Sequence, residues 1–439
     1  MTAKTILALA LLSALAGTTG TAQAAAFQLK EKSAKGLGRA FAGSISAPGD
    51  ASVIADNPAA MRLLDGRLFQ ADASVVNYTV DFKGEGRDAL GRPLSGGDGG
   101  DAGDTSPIPA LYFHTPLGEK AHLGLSLTAP FGFKTEYESD WVGRYNGIKT
   151  EIKSVDLGMS LSYDVNPYVS FGASIFVERV EAKLYDAVDF GAVLAGARAP
   201  GFSPGSADGY TRIDAKDDAV GFTLGGLFTP VEGTNIGIAY RSRVEHKLND
   251  AEVRFGVPAA AAPLLAAARP GWFVDTNAST ALNLPATLTG SISHQVNDRW
   301  TVMADVTRTA WSKFAEIRLD FHSAQPARAL DFSYRDTTFA SIGTEYRYSQ
   351  KLTLRAGIAT DQSPVTDDIR DVRVPDSNRK WLSLGATYRA SESAEYSVGY
   401  THLFLDKPEV AVTSATGSSL QGEYDVGSDI VAFSAAYYF

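Results

Sequence analysis

The sequence predicts an all-β protein: a fourteen-stranded antiparallel transmembrane β-barrel plugged by an N-terminal, partly helical hatch. Three observations lead to this fold class: alternating segments of membrane-strand length, a regular succession of short and long connections, and an aromatic last strand. Residues 154–164 (SVDLGMSLSYD) show the alternation, since every second residue is apolar and the others are small or polar. Segments of about ten residues match a tilted membrane strand.

The connections separate a barrel from a soluble β-sandwich, which would share the alternation. Six short turns and seven long loops give fourteen strands with both ends on the same side. Outer-membrane barrels sort their periplasmic turns and extracellular loops in this way. The short turns are residues 116–121, 164–168, 230–234, 296–299, 348–351 and 390–395, and the long loops are near residues 84–106, 134–149, 186–214, 249–279, 313–335, 362–377 and 407–423.

The last strand, residues 430–439 (IVAFSAAYYF), ends in Phe439 and carries further aromatic residues on the same face. Aromatic residues near strand ends suit the membrane–water interface. A terminal phenylalanine on such a strand also resembles the signal read by the barrel-assembly machinery. We therefore expect an outer-membrane location with both termini in the periplasm, and contact with outer-membrane lipid and lipopolysaccharide.

The composition and the absence of common enzyme motifs exclude several classes of function. The net charge of −10 argues against a nucleic-acid partner, and the absence of cysteine excludes disulfides and thiol chemistry. No H-E-x-x-H motif or P-loop occurs, and the six histidines show no metal-ligand spacing. We expect no enzyme, no cofactor and no metal.

The N-terminus reads as a secretory signal. Lys4 precedes an apolar run, and residues 22–24 (AQA) form an A-x-A cleavage site. The predicted organisation is a signal peptide over residues 1–24, a hatch over residues 25–66 and the barrel over residues 67–439.

The hatch is needed because fourteen strands enclose a lumen too wide for side chains alone to fill. Residues 25–66 do not alternate, and they contain four glycines between residues 36 and 49. Asn57 is a predicted helix N-cap and Pro58 the first helical residue. Taken locally, this is only a capped short helix, but its position suggests part of a plug.

Several stretches resemble the FadL-type outer-membrane transporters for long-chain fatty acids, a family that includes the TodX-type hydrocarbon channels. The similarity covers essentially the whole mature chain, and the motifs follow one another in the same order. They are residues 26–43 (AFQLKEKSAKGLGRAFAG), 55–61 (ADNPAAM), 141–175, 237–248, 309–314 (TAWSKF), 354–365, 374–389 and the C-terminal strand.

The resemblance implies a monomeric barrel whose hatch carries a gate at Asn57, Pro58 and Ala59. It implies that a hydrophobic ligand reaches an internal pocket and, after a ligand-gated hatch rearrangement, leaves sideways into the bilayer beside a kinked third strand. Pro130 and Phe131 are the predicted kink, although the strand could simply end there. Phe27 is expected near the ligand, or else it packs the hatch against the wall.

A fatty acid would need a basic partner for its carboxylate. Alternation directs Arg241, Arg243 and Arg355 inward, and we predict Arg241 and Arg355 as ligand-binding residues. The alternative is that these arginines form ion pairs with inward acidic residues of the lumen, Asp156, Asp305 or Glu345.

The sequence also suggests roles for two segments of the predicted extracellular loops. The apolar residues 259–268 could form a ligand-capture surface with residues 186–202, or a loop helix packed on its neighbour. Residues 96–104 (GGDGGDAGD) form an acidic loop that could meet divalent ions at the outer leaflet. The alternatives to fatty-acid uptake are uptake of aromatic or aliphatic hydrocarbons and, more distantly, a structural or enzymatic outer-membrane barrel.

Overall fold

The computed structural model describes residues 26–439, so the predicted signal peptide lies outside the described residues. Fourteen antiparallel strands close into a barrel, because β1 pairs with β14 from Leu68↔Tyr438 to Arg87↔Ser419. The strands are β1 Leu68–Arg87, β2 Asp104–Leu117, β3 Ala121–Thr128 and Gly132–Glu136, β4 Lys149–Asn166, β5 Val169–Asp189, β6 Asp208–Val231, β7 Thr234–Arg241 and Val244–Gly256, β8 Thr276–Leu284 and Thr287–Gln295, β9 Trp300–Thr309 and Glu316–Phe321, β10 Arg328–Asp331 and Thr337–Arg347, β11 Leu352–Asp361, β12 Arg379–Ser391, β13 Ala394–Leu405 and Glu409–Thr413, and β14 Ser419–Tyr438.

The apolar face of the strands points outward, as a membrane barrel requires. On β4, Leu157 is 64% exposed, whereas Ser160 on the opposite face is fully buried. In a soluble sandwich the apolar face would be the buried one. No helix within residues 26–439 has the length and apolar character needed to cross a membrane.

The short turns all lie at one end of the barrel and the long loops at the other. Phe439 lies at the short-turn end, where its backbone N–H donates to the carbonyl of Arg67 at 3.0 Å. That end is periplasmic in outer-membrane barrels. The first described residue, Ala26, instead lies inside the barrel, where its N–H donates to Asp376 at 2.8 Å.

The segment 26–64 occupies the lumen and contains α1 (Ala34–Leu37), α2 (Val53–Asp56) and a 3₁₀ helix (Pro58–Leu63). Glycines on the lumen face of the wall let this backbone approach closely. A Cβ on Gly385 of β12 would lie 2.8 Å from the Cα of Gly38. The sequence pattern had suggested one helix start near Asn57, and the structure adds α1 and α2.

Polar contacts attach the hatch to the wall. Arg39 forms an ion pair with Glu345 at 2.7 Å and lies 3.5 Å from Asp50. Asp305 of β9 accepts the backbone N–H groups of Gly43 at 2.5 Å and Ser44 at 3.0 Å. These contacts are buried, so the hatch is held by specific partners as well as by shape.

Two loop helices cover part of the extracellular end: α3 (Phe190–Gly196) and α4 (Ala262–Ala268). Their apolar residues pack against each other, including Phe190, Leu194 and Leu265. Of the two interpretations of residues 259–268, this is the loop helix packed on its neighbour. Leu264 keeps 37% exposure on the outer side.

Candidate functional site

The third strand is broken at residues 129–131, and the wall opens beside the break. The ladder between β2 and β3 ends at the Leu111↔Leu127 pair. The ladder between β3 and β4 continues past the break, but it shifts by one residue between Thr128↔Asp156 and Gly132↔Lys153. Residues 104–110 of β2 therefore pair with β1 and lack a ladder partner on their other side.

Prolines border this opening on both sides. Pro107 and Pro109 lie in the part of β2 that has no ladder partner on the β3 side, and Pro130 lies in the break of β3. Proline has no N–H to donate, so it is confined to strand edges, ends and bulges. Sequence reasoning singled out Pro130 but missed the alternating prolines of residues 106–110 (SPIPA), which carried the same signal.

A cavity lies in the wall at the opening. Leu29 and Phe131 form its inner end, and Val155 and Arg179 lie at its outer side. A second cavity lies between the hatch and the lumen wall, and Leu29 and Phe131 line it too. The two cavities, called here the wall cavity and the inner cavity, share Leu29 of the hatch and Phe131 of the broken strand in their linings.

The first described residues of the hatch fill the break as a short added strand. Gly132 donates its N–H to the carbonyl of Phe27 at 2.8 Å, and Leu29 donates to the carbonyl of Pro130 at 2.7 Å. Gln28 and Phe131 are antiparallel bridge partners. The hatch therefore seals the opening through backbone hydrogen bonds that a hatch movement would have to break.

Phe27 anchors this seal in an aromatic cluster. It is 1% exposed, and its ring centroid lies 4.8 Å from that of Trp311 and 5.2 Å from that of Phe314, both edge to face. Phe131 lies 6.1 Å away. Ala26, Phe27 and Phe131 belong to one apolar core. It contains thirteen further buried residues, among them Phe133, Phe176, Phe332 and Tyr334.

The two arginines nominated from the sequence are engaged with carboxylates. Arg241 lines the inner cavity and lies 2.8 Å from both Asp156 and Glu178. Arg355 lies 2.7 Å from Glu345, which it shares with Arg39 of the hatch.

Arg241 and Arg355 therefore both form ion pairs with carboxylates of the lumen, which was the alternative to a role in ligand binding. A ligand-binding role for Arg241 and Arg355 stays a prediction, and Arg355 is not among the residues lining the inner cavity. The expected inward direction of Arg243 is wrong: β7 is interrupted after Arg241, and Arg243 is exposed beside Glu245 at 3.7 Å.

Asn57 is buried, and its side chain makes three hydrogen bonds at the end of the hatch. Its Oδ1 accepts the N–H of Ala59 at 3.2 Å, so it caps the helix that begins at Pro58. Its Nδ2 donates to the carbonyls of Ile45 at 2.9 Å and Gly226 of β6 at 3.2 Å. The capped helix expected from the sequence is a 3₁₀ helix, and its cap also ties the hatch to the wall.

One serine pattern bears on the enzymatic alternative. Residues 201–205 (GFSPG) match the G-x-S-x-G pattern of serine hydrolases. In those enzymes the serine occupies a sharp strand-to-helix turn, whereas Ser203 lies in the long loop between α3 and β6. Within the described part of the chain, no group of three or more histidine, aspartate and glutamate residues could hold a metal ion.

Comparison with known proteins agrees with this architecture. The family model described as "Outer membrane protein transport protein (OMPP1/FadL/TodX)" matches residues 15–439. The chain is 30% identical over 431 residues to the long-chain fatty acid transport protein of Escherichia coli O6:H1, covering 93% of each chain. It is 29% identical to outer membrane protein P1 of Haemophilus influenzae, covering 90% of this chain and 89% of that protein.

Solved structures show the same fold. A Pseudomonas aeruginosa FadL homologue superimposes with a TM-score of 0.88 at 27% identity, covering 94% of this chain and all (100%) of the other. The toluene transporter TbuX of Ralstonia pickettii gives a TM-score of 0.62 at 20% identity over 89% of this chain and 94% of its own, which shows the fold alone. The chain is therefore an outer-membrane protein of the OMPP1/FadL/TodX family of transport proteins, a family of transporters and not of enzymes.

Proposed function

We propose that this protein is an uptake channel for long-chain fatty acids or related hydrophobic molecules, which leave the barrel sideways into the bilayer. The observation that carries the proposal is the insertion of residues 27–29 into the break of β3. A ligand that displaces these residues connects the inner cavity with the wall cavity. The relatives named as fatty acid transport proteins support this substrate class.

The lateral route suits a hydrophobic ligand energetically. Each CH₂ group removed from water contributes about 0.8 kcal/mol. A water-filled pore would forgo that gain, whereas the wall cavity lies between the apolar side chains of Leu29 and Phe131 and the lipid-facing strand surface. Phe27, Pro130 and Phe131 are the residues we assign to the opening, with Phe27 contacting the ligand.

We propose that Asn57, Pro58 and Ala59 form the gate of the hatch, and that they act as the anchor about which the rest of the hatch rearranges. This proposal is supported by the helix cap that Asn57 provides and by the hydrogen bond from its side chain to the carbonyl of Gly226 in the wall. Because this anchor stays on β6, the N-terminal part of the hatch can leave the β3 break without the whole plug leaving the barrel.

We also propose that the protein acts as a monomer, contacts lipopolysaccharide through its long loops, and is assembled by the machinery that reads C-terminal aromatic strands. Pairing of β14 with β1 closes the sheet on itself, so closure of the barrel needs no partner subunit.

Uptake of aromatic or aliphatic hydrocarbons is the second candidate. The aromatic cluster around Phe27 and Trp311 favours it, since this cluster offers an apolar surface that needs no charged ligand. Comparing toluene and oleate as substrates for the same cells separates the two candidates.

A disulfide lock tests the lateral route. The described chain has no cysteine, so a Gln28→Cys/Phe131→Cys variant introduces one pair at bridge partners, where antiparallel Cα atoms lie about 4.5–5.5 Å apart. We expect uptake of labelled oleate by cells to stop on oxidation and to return on reduction. The matched control, Asn77→Cys/Thr105→Cys, joins β1 to β2 and should leave uptake unchanged. Undiminished uptake in the oxidised Gln28/Phe131 variant would contradict the route.

A further inference from the structure

Ser154 of β4 faces the break in β3, and its side chain replaces a backbone acceptor there. Its Oγ accepts the N–H of Phe131 at 2.9 Å and donates to the carbonyl of Phe131 at 3.1 Å. The backbone N–H of Ser154 donates to the same carbonyl at 2.8 Å. In a regular hydrogen-bonded pair of antiparallel strands, the N–H of Phe131 would instead donate to a backbone carbonyl of β4. The hydroxyl therefore completes the hydrogen bonding of Phe131 on the β4 side.

The break needs this substitute because the two strands are out of step there. Between the two regular parts of the ladder, three residues of β3 lie opposite two residues of β4. An extra residue in one strand disrupts the ladder locally and leaves a backbone group without its partner. Phe131 and Ser154 are both buried, so the N–H of Phe131 would be unsatisfied without the hydroxyl.

The hatch holds the opposite edge of the same segment. The carbonyl of Pro130 accepts from Leu29, and the N–H of Gly132 donates to Phe27. Proline has no N–H, so Pro130 has no donor to offer to β2. The segment is thus held on one edge by hatch residues and on the other edge by Ser154, which belongs to the uninterrupted strand β4.

The position of Ser154 separates passage from binding. Ser154 lines the wall cavity and is not among the residues that line the inner cavity. Toward β5 it continues a regular ladder opposite Val180. A change in its hydroxyl therefore acts on the break in β3, while the inner cavity keeps its lining.

We propose that Ser154 is a positioning residue for lateral passage, and that its hydroxyl keeps the break of β3 in shape when residues 27–29 move away. This inference rests on the proposed lateral uptake and deepens it. With the hatch displaced, Pro130 and Gly132 lose their hydrogen bonds to it, whereas Phe131 keeps those to Ser154. The segment then stays away from β2, and the passage beside it remains open. Without the hydroxyl, the freed segment can change its register against β4 and narrow the opening.

The test separates the hydroxyl of Ser154 from the shape of the side chain. Ser154→Thr keeps the hydroxyl, and Ser154→Val has the shape of threonine without it. We expect Ser154→Val to slow uptake of labelled oleate by cells about fivefold or more, the equilibrium factor for one unsatisfied buried backbone group. Ser154→Thr should retain the parent rate. Equilibrium binding of oleate to the purified, detergent-solubilised full-length protein should be the same in all three proteins.

Hydrogen exchange measures the position of the segment directly. The amide of Phe131 should exchange faster in Ser154→Val than in the parent protein, while amides of β12 exchange alike. Ser162→Ala is the matched control, because Ser162 is buried on the same strand and its hydroxyl has no hydrogen-bond partner within residues 26–439. This control should change neither uptake nor exchange at Phe131.

The proposal is overturned if Ser154→Val takes up oleate as the parent protein does, or if its oleate binding falls together with uptake. It is also overturned if Ser154→Thr is impaired equally, or if Ser162→Ala has the same effect. Heat-modifiable migration verifies that each barrel is folded, and Ser154→Ala repeats the comparison if the valine variant does not fold.

The Gln28→Cys/Phe131→Cys lock distinguishes this failure from failure of the lateral route. Uptake that persists through the oxidised lock contradicts the route itself. A lock that stops uptake, together with normal uptake by Ser154→Val, contradicts only the role of Ser154.

Discussion

Leu29 of the hatch donates its backbone N–H to the carbonyl of Pro130, 2.7 Å away in the broken third strand. The same residue, Leu29, lines both the inner cavity and the wall cavity. The hatch therefore blocks the lumen and completes the wall at one position, so that a single displacement would open both.

Phe27→Ala should loosen the seal without unfolding the barrel. Truncation of a buried phenylalanine typically costs about 3–5 kcal/mol. Here most of that loss falls on the packing of residues 27–29 against Trp311 and Phe314. Hydrogen exchange of the amides of Leu29 and Gly132 should accelerate, while exchange in β12 stays slow. Equal acceleration in both regions would show that Phe27 supports the barrel as a whole.

Asn57→Ala should impair uptake while the barrel still assembles. The variant loses a helix cap worth about 1 kcal/mol and removes the Asn57 donor from the carbonyls of Ile45 and Gly226, which costs about 1–3 kcal/mol at the buried Ile45 carbonyl. Labelled-oleate uptake and heat-modifiable migration are measured together, with the exposed Asn249→Ala as control. Normal uptake by Asn57→Ala, or by a Pro58→Ala variant, would leave only a capped helix at this position.

Gly225→Ala should disturb the same anchor from the side of the wall. A Cβ on Gly225 would collide with Oδ1 of Asn57, whereas one on the adjacent Gly226 would meet its nearest atom, on Ile238, at an acceptable 3.4 Å. Overpacking of this kind costs about 1–3 kcal/mol. We expect reduced uptake and faster amide exchange at Ala59 in Gly225→Ala, and neither change in Gly226→Ala. If both variants behave alike, the contact between Asn57 and β6 does not matter.

Ionisation of Glu31 should weaken docking of the hatch as the pH rises from 4.5 to about 7. Burial raises the pKa of Glu31 from 4.5 to about 7, against the lowering influence of the N–H groups of Glu31 and Lys30 and the charge of Arg379. A carboxyl whose folded-state pKa is raised stabilises the fold below pH 4.5, and that stabilisation is lost as pH rises to about 7. The loss amounts to at most about 3 kcal/mol.

The measurement for Glu31 is amide exchange in residues 29–34 between pH 5 and pH 8, corrected for the intrinsic rate. Protection should fall across this range in the parent protein and much less in Glu31→Gln, which cannot ionise. An identical pH dependence in both proteins would assign the effect to another group.

Arg241→Met should destabilise the barrel interior and not discriminate between ligands. Removing one partner of a buried ion pair costs about 3–5 kcal/mol, because Asp156 and Glu178 would lose the guanidinium that they share, with His246 remaining beside Glu178. Thermal unfolding should show the loss, and affinities for oleate and oleyl alcohol should change by the same factor. Restoration of stability by Asp156→Asn together with Glu178→Gln is the control. A selective loss of oleate would support Arg241 as the carboxylate partner.

The sequence predicted the barrel well because its evidence is local. The period of two along each strand and the alternation of turn and loop lengths depend on neighbours in the chain, and neither needs a distant partner. The helix cap at Asn57 and Pro58 is local in the same sense, and it was found as expected. Pro107 and Pro109 were a further local signal in the sequence, since they border the opening of the wall.

The choice among charged lumen residues could not be made from the sequence. Alternation shows that Arg241 faces inward, but its partners Asp156 and Glu178 lie on β4 and β5, 63 or more residues away. Arg243 shows the weakness of the same rule, because the interruption of β7 after Arg241 reverses its direction. Lys30 lies in the hatch, where no alternation exists to indicate what it faces.

By itself, the sequence determined the class of the protein: an outer-membrane barrel with a hatch and with an apolar surface toward the lipid. Only the tertiary structure decided that residues 27–29 complete the broken third strand, that two nominated arginines are neutralised by wall carboxylates, and that the Ser154 hydroxyl bonds to Phe131 at the break. The physical reason is that strand periodicity is set by adjacent residues, whereas hydrogen bonds and charge pairs across the lumen depend on register and on the path of the hatch, which bring together residues such as Leu29 and Pro130 from distant parts of the chain.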